Sequence, residues 1–220
     1  LNTVMSFGMH HLWRWRATAV ATKGAARGEA LDLATGTGDF ALELAARPSI
    51  TRVVGLDFAP QMLALARKKA RRNRLGRIVQ WVQGDALALP FPADHFSCVT
   101  SGFGLRNFAD MEVALREMVR VARPGGRVVI LDIAPLRGRG PVHRFLRLYF
   151  SRVVPRMGAL LAKDAEGYTY LPQSVENFLG PQDLAHMMER SGLDNVTYRM
   201  MGFGTVAIHS GEKPNGAGTP

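Results

Sequence analysis

Three aspartates stand where apolar runs give way to turns: Asp32 in LDLATGTGDFALEL, Asp57 in RVVGLD and Asp85 in RIVQWVQGD. Gly36 and Gly38 follow the first of them closely. Glycines at a strand end let a ligand approach the backbone, and the N–H groups that open the next helix then face it. Asp57 follows those glycines by about 20 residues, the spacing of a carboxylate that accepts from both hydroxyls of a ribose. Asp85 suits an acceptor for an adenine amino group. Asp32 either orients the turn or meets an ammonium group, and it would repel a pyrophosphate. Three carboxylates around one cleft favour a nucleoside that carries positive charge and no phosphate, and S-adenosylmethionine has that chemistry. The glycines alone leave two other readings open. Gly36-Thr37-Gly38-Asp39-Phe40-Ala41 also satisfies the loose G-x-G-x-x-G/A pattern of nicotinamide dinucleotide sites, and a tight strand–helix turn needs no ligand at all.

The elements that must position these residues follow from periodicity. Runs rich in Val, Ile and Leu alternate with helical patterns, the signal of repeated βα units and a largely parallel sheet. Strands are expected at 30–34, 52–57, 77–85, 96–102 and 127–134. Helices are expected over 40–47, stopped by Pro48, and from Pro60 to about position 74, where proline suits the first turn. A third follows an Asp110 cap through ALREMVRVA and is broken by RPGG, and PQDLAHMMERSG forms a fourth with Gly192 near its end. NVTYRMMGF and TVAIHSG read as an antiparallel pair about a tight Gly202–Gly204 turn. In an open sheet of this kind ligands sit beyond the carboxyl ends of the strands, where strand order reverses. The acids and glycines fall there.

Composition bounds the rest. A chain of 220 residues, 47% of them hydrophobic, can bury one sizeable core. Its one cysteine, Cys98, excludes an internal disulfide framework, fits a reducing cytosol and reads as a buried thiol in an apolar strand. No apolar run approaches the roughly 20 residues that span a bilayer, and no secretory signal follows Leu1. The net charge of +10 favours anionic partners. Between Arg137 and Lys163 basic residues recur without Asp or Glu, while Val142, Phe145, Leu146, Tyr149, Phe150 and Val153 repeat at helical spacing. Such a segment either lies in an anionic membrane surface or packs over the sheet as a lid. ARKKARRNR (66–74) reads as a solvated helix face, since it lacks the interleaved aromatics of a base-stacking surface.

LDLATGTGDFA, GLDFAPQML, GDALALPFPADHFSCVT, FGLRNFAD and RVARPGGRVVILD together resemble the class I methyltransferases. More narrowly they resemble the C-methyltransferases of menaquinone and ubiquinone biosynthesis. LNTVMSFGMHHLW, KDAEGYTYLPQSVENF and GTVAIHSG are similar to that narrower family as well, so the resemblance covers nearly the whole chain. FGLRN followed by YTYLPQS is far more specific than the glycine pattern. The resemblance implies an α/β fold with a doubly wound, mostly parallel, Rossmann-like sheet of seven strands and a helical lid insertion. One domain would span 1–211, with 1–27 as an N-terminal helical cover, 137–179 as the basic helical lid and 212–220 as a disordered tail. It also implies S-adenosylmethionine across the switch point. Ala34, Gly36, Thr37 and Gly38 would wrap the methionine portion beside Asp32. Asp57 would hold the ribose, Phe58 would lie near the adenine with Met62 in the same site, Asp85 and Ala86 would contact the base, and Gly102 would sit under the sulfonium. Many methyltransferases carry Gly at position 34, although Ala is ordinary in the narrower family. Asp85 departs from the Asn often seen there, and either side chain accepts from an amino group.

The implied activity is S-adenosylmethionine-dependent C-methylation of a prenylated quinol precursor, above all demethylmenaquinol to menaquinol. One rival is a methyltransferase of the same fold acting on another small phenol or polyketide; another is a nicotinamide-dependent oxidoreductase. Displacement at a sulfonium is in-line, so the protein must align the reactants and exclude water. Loss of the ring hydroxyl's proton pushes electron density onto the neighbouring carbon, so the site needs a base or a cation at that oxygen and an apolar channel for the tail. Arg106 in FGLRN is the candidate for stabilising the phenolate or orienting a water that takes the proton, and Asn107 for orienting the hydroxyl. His209, at the end of the last strand, is the candidate general base. Phe103, Asp164, Tyr168 and Tyr170 are candidates for the acceptor pocket. The plainer alternatives are a structural ion pair for Arg106, a packed ring for His209 and half-buried packing for the tyrosines. No metal and no nucleic acid is expected. The expected partners are the lipophilic quinol, an anionic membrane surface and a second copy in a homodimer, with the protein cytoplasmic and peripheral to the inner face of the membrane.

Overall fold

The computed structural model describes residues 9–135 and 178–215. Seven strands form one sheet: β1 (Gly28–Leu33), β2 (Ile50–Asp57), β3 (Val79–Gln83), β4 (Phe96–Gly102), β5 (Ala122–Ile133), β6 (Asp194–Met201) and β7 (Val206–Glu212). Their order is β3-β2-β1-β4-β5-β7-β6. All pairings from β3 to β5 are parallel, while β7 runs antiparallel to both β5 and β6. The chain steps outward from β1 to β3 and returns to β4, so the order reverses between β1 and β4, the switch point beyond whose carboxyl ends open α/β sheets bind their ligands.

Helices α1 (His10–Thr22), α2 (Asp39–Ala45), α3 (Pro60–Ala70), α4 (Met111–Val121) and α5 (Pro181–Arg190) cover the two faces. On one face Leu31, Leu33, Val99, Val128 and Ile130 pack with Leu115 and Met118 of α4 and Leu184 and Met188 of α5. On the other, Ala30, Val53, Cys98, Val129 and Leu131 meet Trp13 and Ala17 of α1 and Phe40 and Leu44 of α2. Alternation along each strand produces this split, because successive side chains point to opposite faces. The strands read as near-continuous apolar runs for the same reason: both faces are covered. In α1 the inward residues His10, Trp13, Arg14, Ala17, Thr18 and Ala21 keep the three-to-four spacing of one stripe.

Several expectations hold in detail. Asp110 caps α4, its carboxylate accepting from the Glu112 and Val113 N–H groups, and Gly192 lies just past α5 with φ +99°. Others are corrected. Helix α3 stops at Ala70, and a 3-10 turn, Arg74–Ile78, fills what was read as the start of β3. The strand therefore ends at Gln83, and Asp85 lies in the turn beyond it. The RPGG stretch does not separate helix from strand. It belongs to β5, whose register against β4 jumps from Phe96↔Ala122 to Cys98↔Arg127, so the extra residues bulge. The tail reading fails for residues 212–215: Arg127 pairs with Glu212, and Lys213 Nζ lies 2.7 Å from Asp94. Of the expected 1–27 cover, α1 is described and 1–8 lie outside the described residues. The expected lid at 137–179, except Phe178 and Leu179, lies outside them too.

Candidate functional site

The glycine turn is held from below and open above. Ala34, Gly36 and Gly38 all take left-handed backbone, with φ of 50°, 56° and 80°. For Ala34 that conformation costs roughly 1–2 kcal/mol, which is why glycine so often stands there. Asp32 is fully buried, accepting from Thr35 Oγ1 at 2.6 Å and Thr100 Oγ1 at 2.9 Å. Of its two sequence readings the geometry supports orientation of the turn, since both oxygens are held within the protein. Burial pushes its carboxyl up to about 7, so near neutrality it repels a nearby anion less than a free aspartate would. A side chain at Gly36 would meet nothing closer than the Ala34 carbonyl at 4.0 Å, so the space over it is open. Gly38 differs: the Trp81 ring fills the place of its missing side chain. Thr37 Oγ1 donates to Asp39 Oδ2 at 2.9 Å and accepts from Lys69 Nζ at 3.1 Å, and Lys69 pairs with Asp39 at 2.9 Å. These contacts tie the turn to α3.

Asp57, at the end of β2, accepts from Gly36 N–H at 2.7 Å through Oδ2 and from Ala59 N–H at 2.9 Å through Oδ1. Each oxygen keeps further acceptor capacity, so the carboxylate shapes the turn and can still receive two hydroxyls. Phe58 beside it is 75% exposed, an aromatic face with nothing packed on most of it, and Met62 follows on α3. The Gly84 N–H donates to the Asp57 carbonyl at 3.1 Å, which brings the turn after β3 alongside. There Asp85 is exposed, accepting from Leu87 N–H at 2.9 Å, and Ala86 is buried.

Across the switch point β4 ends at Gly102, where an added Cβ would come within 2.6 Å of the Phe40 ring. Phe103 follows with φ 60°, its N–H donating to the Leu131 carbonyl at 2.6 Å. Gly104 abuts Ala34, with room for no Cβ between them. The 3-10 turn Leu105–Asn107 then sets Arg106 over the end of β5 and leaves Asn107 exposed. Arg106 Nη1 donates to the Phe103 carbonyl at 2.8 Å and to Asp132 Oδ1 at 2.5 Å. The pair is nearly closed to water, 11% and 1% exposed, and burial raises the Asp132 carboxyl against the pull of Arg106. Arg106 Nε and Asp132 Oδ2 remain without a hydrogen-bond partner among the described residues.

His209 is corrected. It lies within β7 rather than at its end, opposite Ile130, with its Nε2 2.8 Å from the Pro181 carbonyl and its ring stacked 5.3 Å from Tyr198. Burial lowers its pKa, and it stands on β7, with β5 between it and the switch point at β1 and β4. In this structure it is a packed histidine, the plainer of its two readings. Cys98 is buried and its thiol is pushed up to about 12, which makes it inert. The basic run on α3 and the following turn is exposed around a cleft of about 500 Å³ that includes Arg71, Arg74 and Val79, at the opposite, amino end of β3. Asp164, Tyr168 and Tyr170 lie outside the described residues.

Two charged residues were missed. Asp132 interrupts the apolar run VVILDI, and Arg14 stands on the buried stripe of α1. In each case the overlooked signal is a charge at a position whose period assigns it to the interior. Arg14 is 7% exposed, and its Nη1 is buried with no partner among the described residues. An unsatisfied buried donor costs about 1–3 kcal/mol or more when charged. Taken together, open space at Gly36, acceptors at Asp57 and Asp85, the bare ring of Phe58 and an unsatisfied cation at Arg14 fit S-adenosylmethionine. They supply places for its backbone approach, ribose, base and charged end.

A model of the ubiE/COQ5 methyltransferase family matches residues 1–213. The chain is 48% identical over 214 residues to a demethylmenaquinone methyltransferase of Thermus thermophilus, covering 97% of this chain and 95% of that one. It is 41% identical over 216 residues to a ubiquinone/menaquinone biosynthesis C-methyltransferase UbiE of Enterobacter sp., covering 97% and 84%. Among solved structures it resembles the [4+2]-cyclase SpnF, with TM-score 0.70, 17% identity and coverage of 96% of this chain and 82% of that one. It also resembles an S-adenosylmethionine-dependent methyltransferase of Thermotoga maritima, described as a possible histamine N-methyltransferase, with TM-score 0.62, 18% identity and coverage of 96% and 95%. At such identities these structures speak for the shared fold alone, and the cyclase shows how far chemistry can diverge on it.

Proposed function

Because this chain belongs to the ubiE/COQ5 methyltransferase family, we propose that it methylates a ring carbon of a prenylated quinol, converting demethylmenaquinol to menaquinol. The nicotinamide-dependent alternative falls with that membership. The observation that carries the choice of acceptor is the 48% identity, over nearly the full length of both chains, to a relative named for demethylmenaquinone.

S-adenosylmethionine, when bound, supplies an electrophilic methyl group on a sulfonium. The chain's own residues do the rest. The turn from Ala34 to Gly38 receives the methionine portion, with Asp32 fixing it from beneath through Thr35. Asp57 takes the ribose hydroxyls, Phe58 and Met62 flank the base, and Asp85 accepts from its amino group beside Ala86. Gly102 leaves room for Phe40, which bears on the strand end where the methyl group must be presented. On the acceptor side Arg106 is the cation that stabilises the phenolate, aided by Asn107, with Phe103 as part of the wall. Asp132 fixes the guanidinium so that its remaining N–H groups keep one direction. This is electrostatic preorganisation: a charge already in place costs no reorganisation when the phenolate forms. The hydroxyl proton would leave to solvent, and the activated ring carbon would take the methyl group as the C–S bond breaks with its electron pair kept on sulfur. Loss of the ring C–H proton would then restore aromaticity and the oxygen would be reprotonated, so that one proton is released overall.

The acceptor is lipophilic, and none of the described helices is long and apolar enough to cross a membrane. A net charge of +10 supports docking of the chain on an anionic bilayer surface, where such an acceptor resides. The direct test is transfer of labelled methyl groups to demethylmenaquinol, demethylated benzoquinol and simple phenols under reducing conditions. The proposal expects turnover of the naphthoquinol at least tenfold above the others. Turnover of a small phenol with neither quinol methylated overturns it.

A further inference from the structure

Among the described residues Arg14 is the buried cation at the glycine turn whose Nη1 has no hydrogen-bond partner, and two of the three acids near it are engaged elsewhere. Asp39, Asp32 and Glu43 are the carboxylates whose charges bear on its guanidinium. Both oxygens of Asp32 are taken by Thr35 and Thr100, and Asp39 is held by Thr37 and Lys69. Glu43, on α2, leaves Arg14 Nη1 without a bond as well. Helix α1 packs against α2, β4 and β5, and it carries Arg14 on its inward stripe. The side chain therefore lies between the sheet and the helix that begins at the turn, more than nine-tenths buried.

We propose that Arg14 is the binding residue for the carboxylate of the cofactor's methionyl end. The inference rests on S-adenosylmethionine as the cofactor and extends that site to the N-terminal helix. A guanidinium with a free, desolvated N–H calls for a planar anionic acceptor, and a carboxylate meets it through two parallel bonds. The methionyl carboxylate is the only anionic group of the cofactor, whereas the phenolate of the acceptor belongs at Arg106, across the switch point. The surrounding acids serve the arrangement: they stabilise the arginine's charge in a buried place without occupying it, so no internal ion pair has to break when the ligand arrives. Helix α1 thereby becomes part of the cofactor site, and the cofactor in turn fastens α1 to the sheet.

Calorimetric titration of the full chain with four compounds tests this: S-adenosylmethionine, S-adenosylhomocysteine, decarboxylated S-adenosylmethionine and 5′-methylthioadenosine. The unmodified chain should bind the two carboxylate-bearing compounds about 10- to 100-fold more tightly than decarboxylated S-adenosylmethionine. Arg14→Met should lose that margin while keeping its affinity for 5′-methylthioadenosine within twofold, and Arg14→Lys should retain part of it. Equal affinity of the unmodified chain for the carboxylated and decarboxylated compounds overturns the inference, even if the methionine variant fails to fold. So does an Arg14→Met variant that weakens all four compounds alike, the mark of a merely architectural arginine. Binding of none of the four by the unmodified chain would instead remove the cofactor itself, a failure distinguishable from loss of the margin alone.

Discussion

At the scale of single residues the site depends on charges held where water cannot reach them. Arg106 and Asp132 form such a pair, and removing one partner of a buried pair is strongly destabilising, about 3–5 kcal/mol, because the other is left uncompensated. Arg106→Lys is the gentler probe. It keeps a cation beside Asp132 but replaces a rigid fork with a mobile ammonium. We expect kcat to fall about 10- to 100-fold with the Kd for S-adenosylmethionine within threefold, since misplacement of about 1 Å can cost two orders of magnitude; unchanged kcat would free Arg106 from its role. Asp32 gives a prediction about stability. Its folded carboxyl is raised from 3.8 to about 7 by burial, so between those values the folded chain holds a proton that the unfolded chain has lost. Stability from this group is therefore full below the lower value and drains away as pH rises to the upper one. Asp32→Asn removes the drain. Relative to the parent, the variant should gain about 2–3 kcal/mol between pH 5 and pH 8 in urea unfolding. A constant difference across that range would mean that Asp32 ionises normally.

At the scale of elements, the crevice is where two turns press together, the one after β1 and the one after β4. Gly104→Ala would drive a methyl group into Ala34, and overpacking of this kind costs about 1–3 kcal/mol. Ala34→Gly both relieves a left-handed backbone and vacates the space, so the double variant should recover most of the loss. Additive losses, measured by urea midpoints, would mean that the turns yield independently. Much of this arrangement was legible in the sequence. Asp110 announced α4 because a cap acts through its own local N–H groups, and the βα alternation announced a doubly wound sheet because burial on both faces writes apolar runs. What escaped detection depended on partners far along the chain. Glu212 and Lys213 read as tail because Arg127 and Asp94 lie about a hundred residues away in sequence. The glycines of RPGG signal a break in helix equally well as a bulge in a strand, and only the β4 register decides between them. His209 looked reactive because periodicity cannot tell mid-strand from strand end when an antiparallel partner sets the frame. Trp81 gave no hint that it fills the space above Gly38 and Gly55.

At the scale of the whole molecule, charge and topology divide the labour. The switch point gathers carboxylates at one end of the sheet: Asp32, Asp57 and Asp85 all stand at or beyond the carboxyl ends of β1, β2 and β3. The chain as a whole nevertheless carries +10, so its positive surface lies elsewhere, in part around the cleft of Arg71, Arg74 and Arg77 at the amino end of β3. A body so polarised can hold an anionic bilayer at close range while its crevice still prefers a cationic cofactor, because the Debye length at physiological salt, about 8 Å, lets the two fields act separately. Vesicle flotation measures the outcome. The chain should float with phosphatidylglycerol vesicles at about 50 mM salt, be released on raising salt to about 500 mM, and ignore phosphatidylcholine vesicles throughout, since each basic residue near an anionic surface contributes about 1 kcal/mol that salt screens. Binding to both vesicle types at both salt concentrations would transfer the attachment to apolar insertion. Binding to neither would mean that the quinol reaches the crevice without the bilayer being docked by charge.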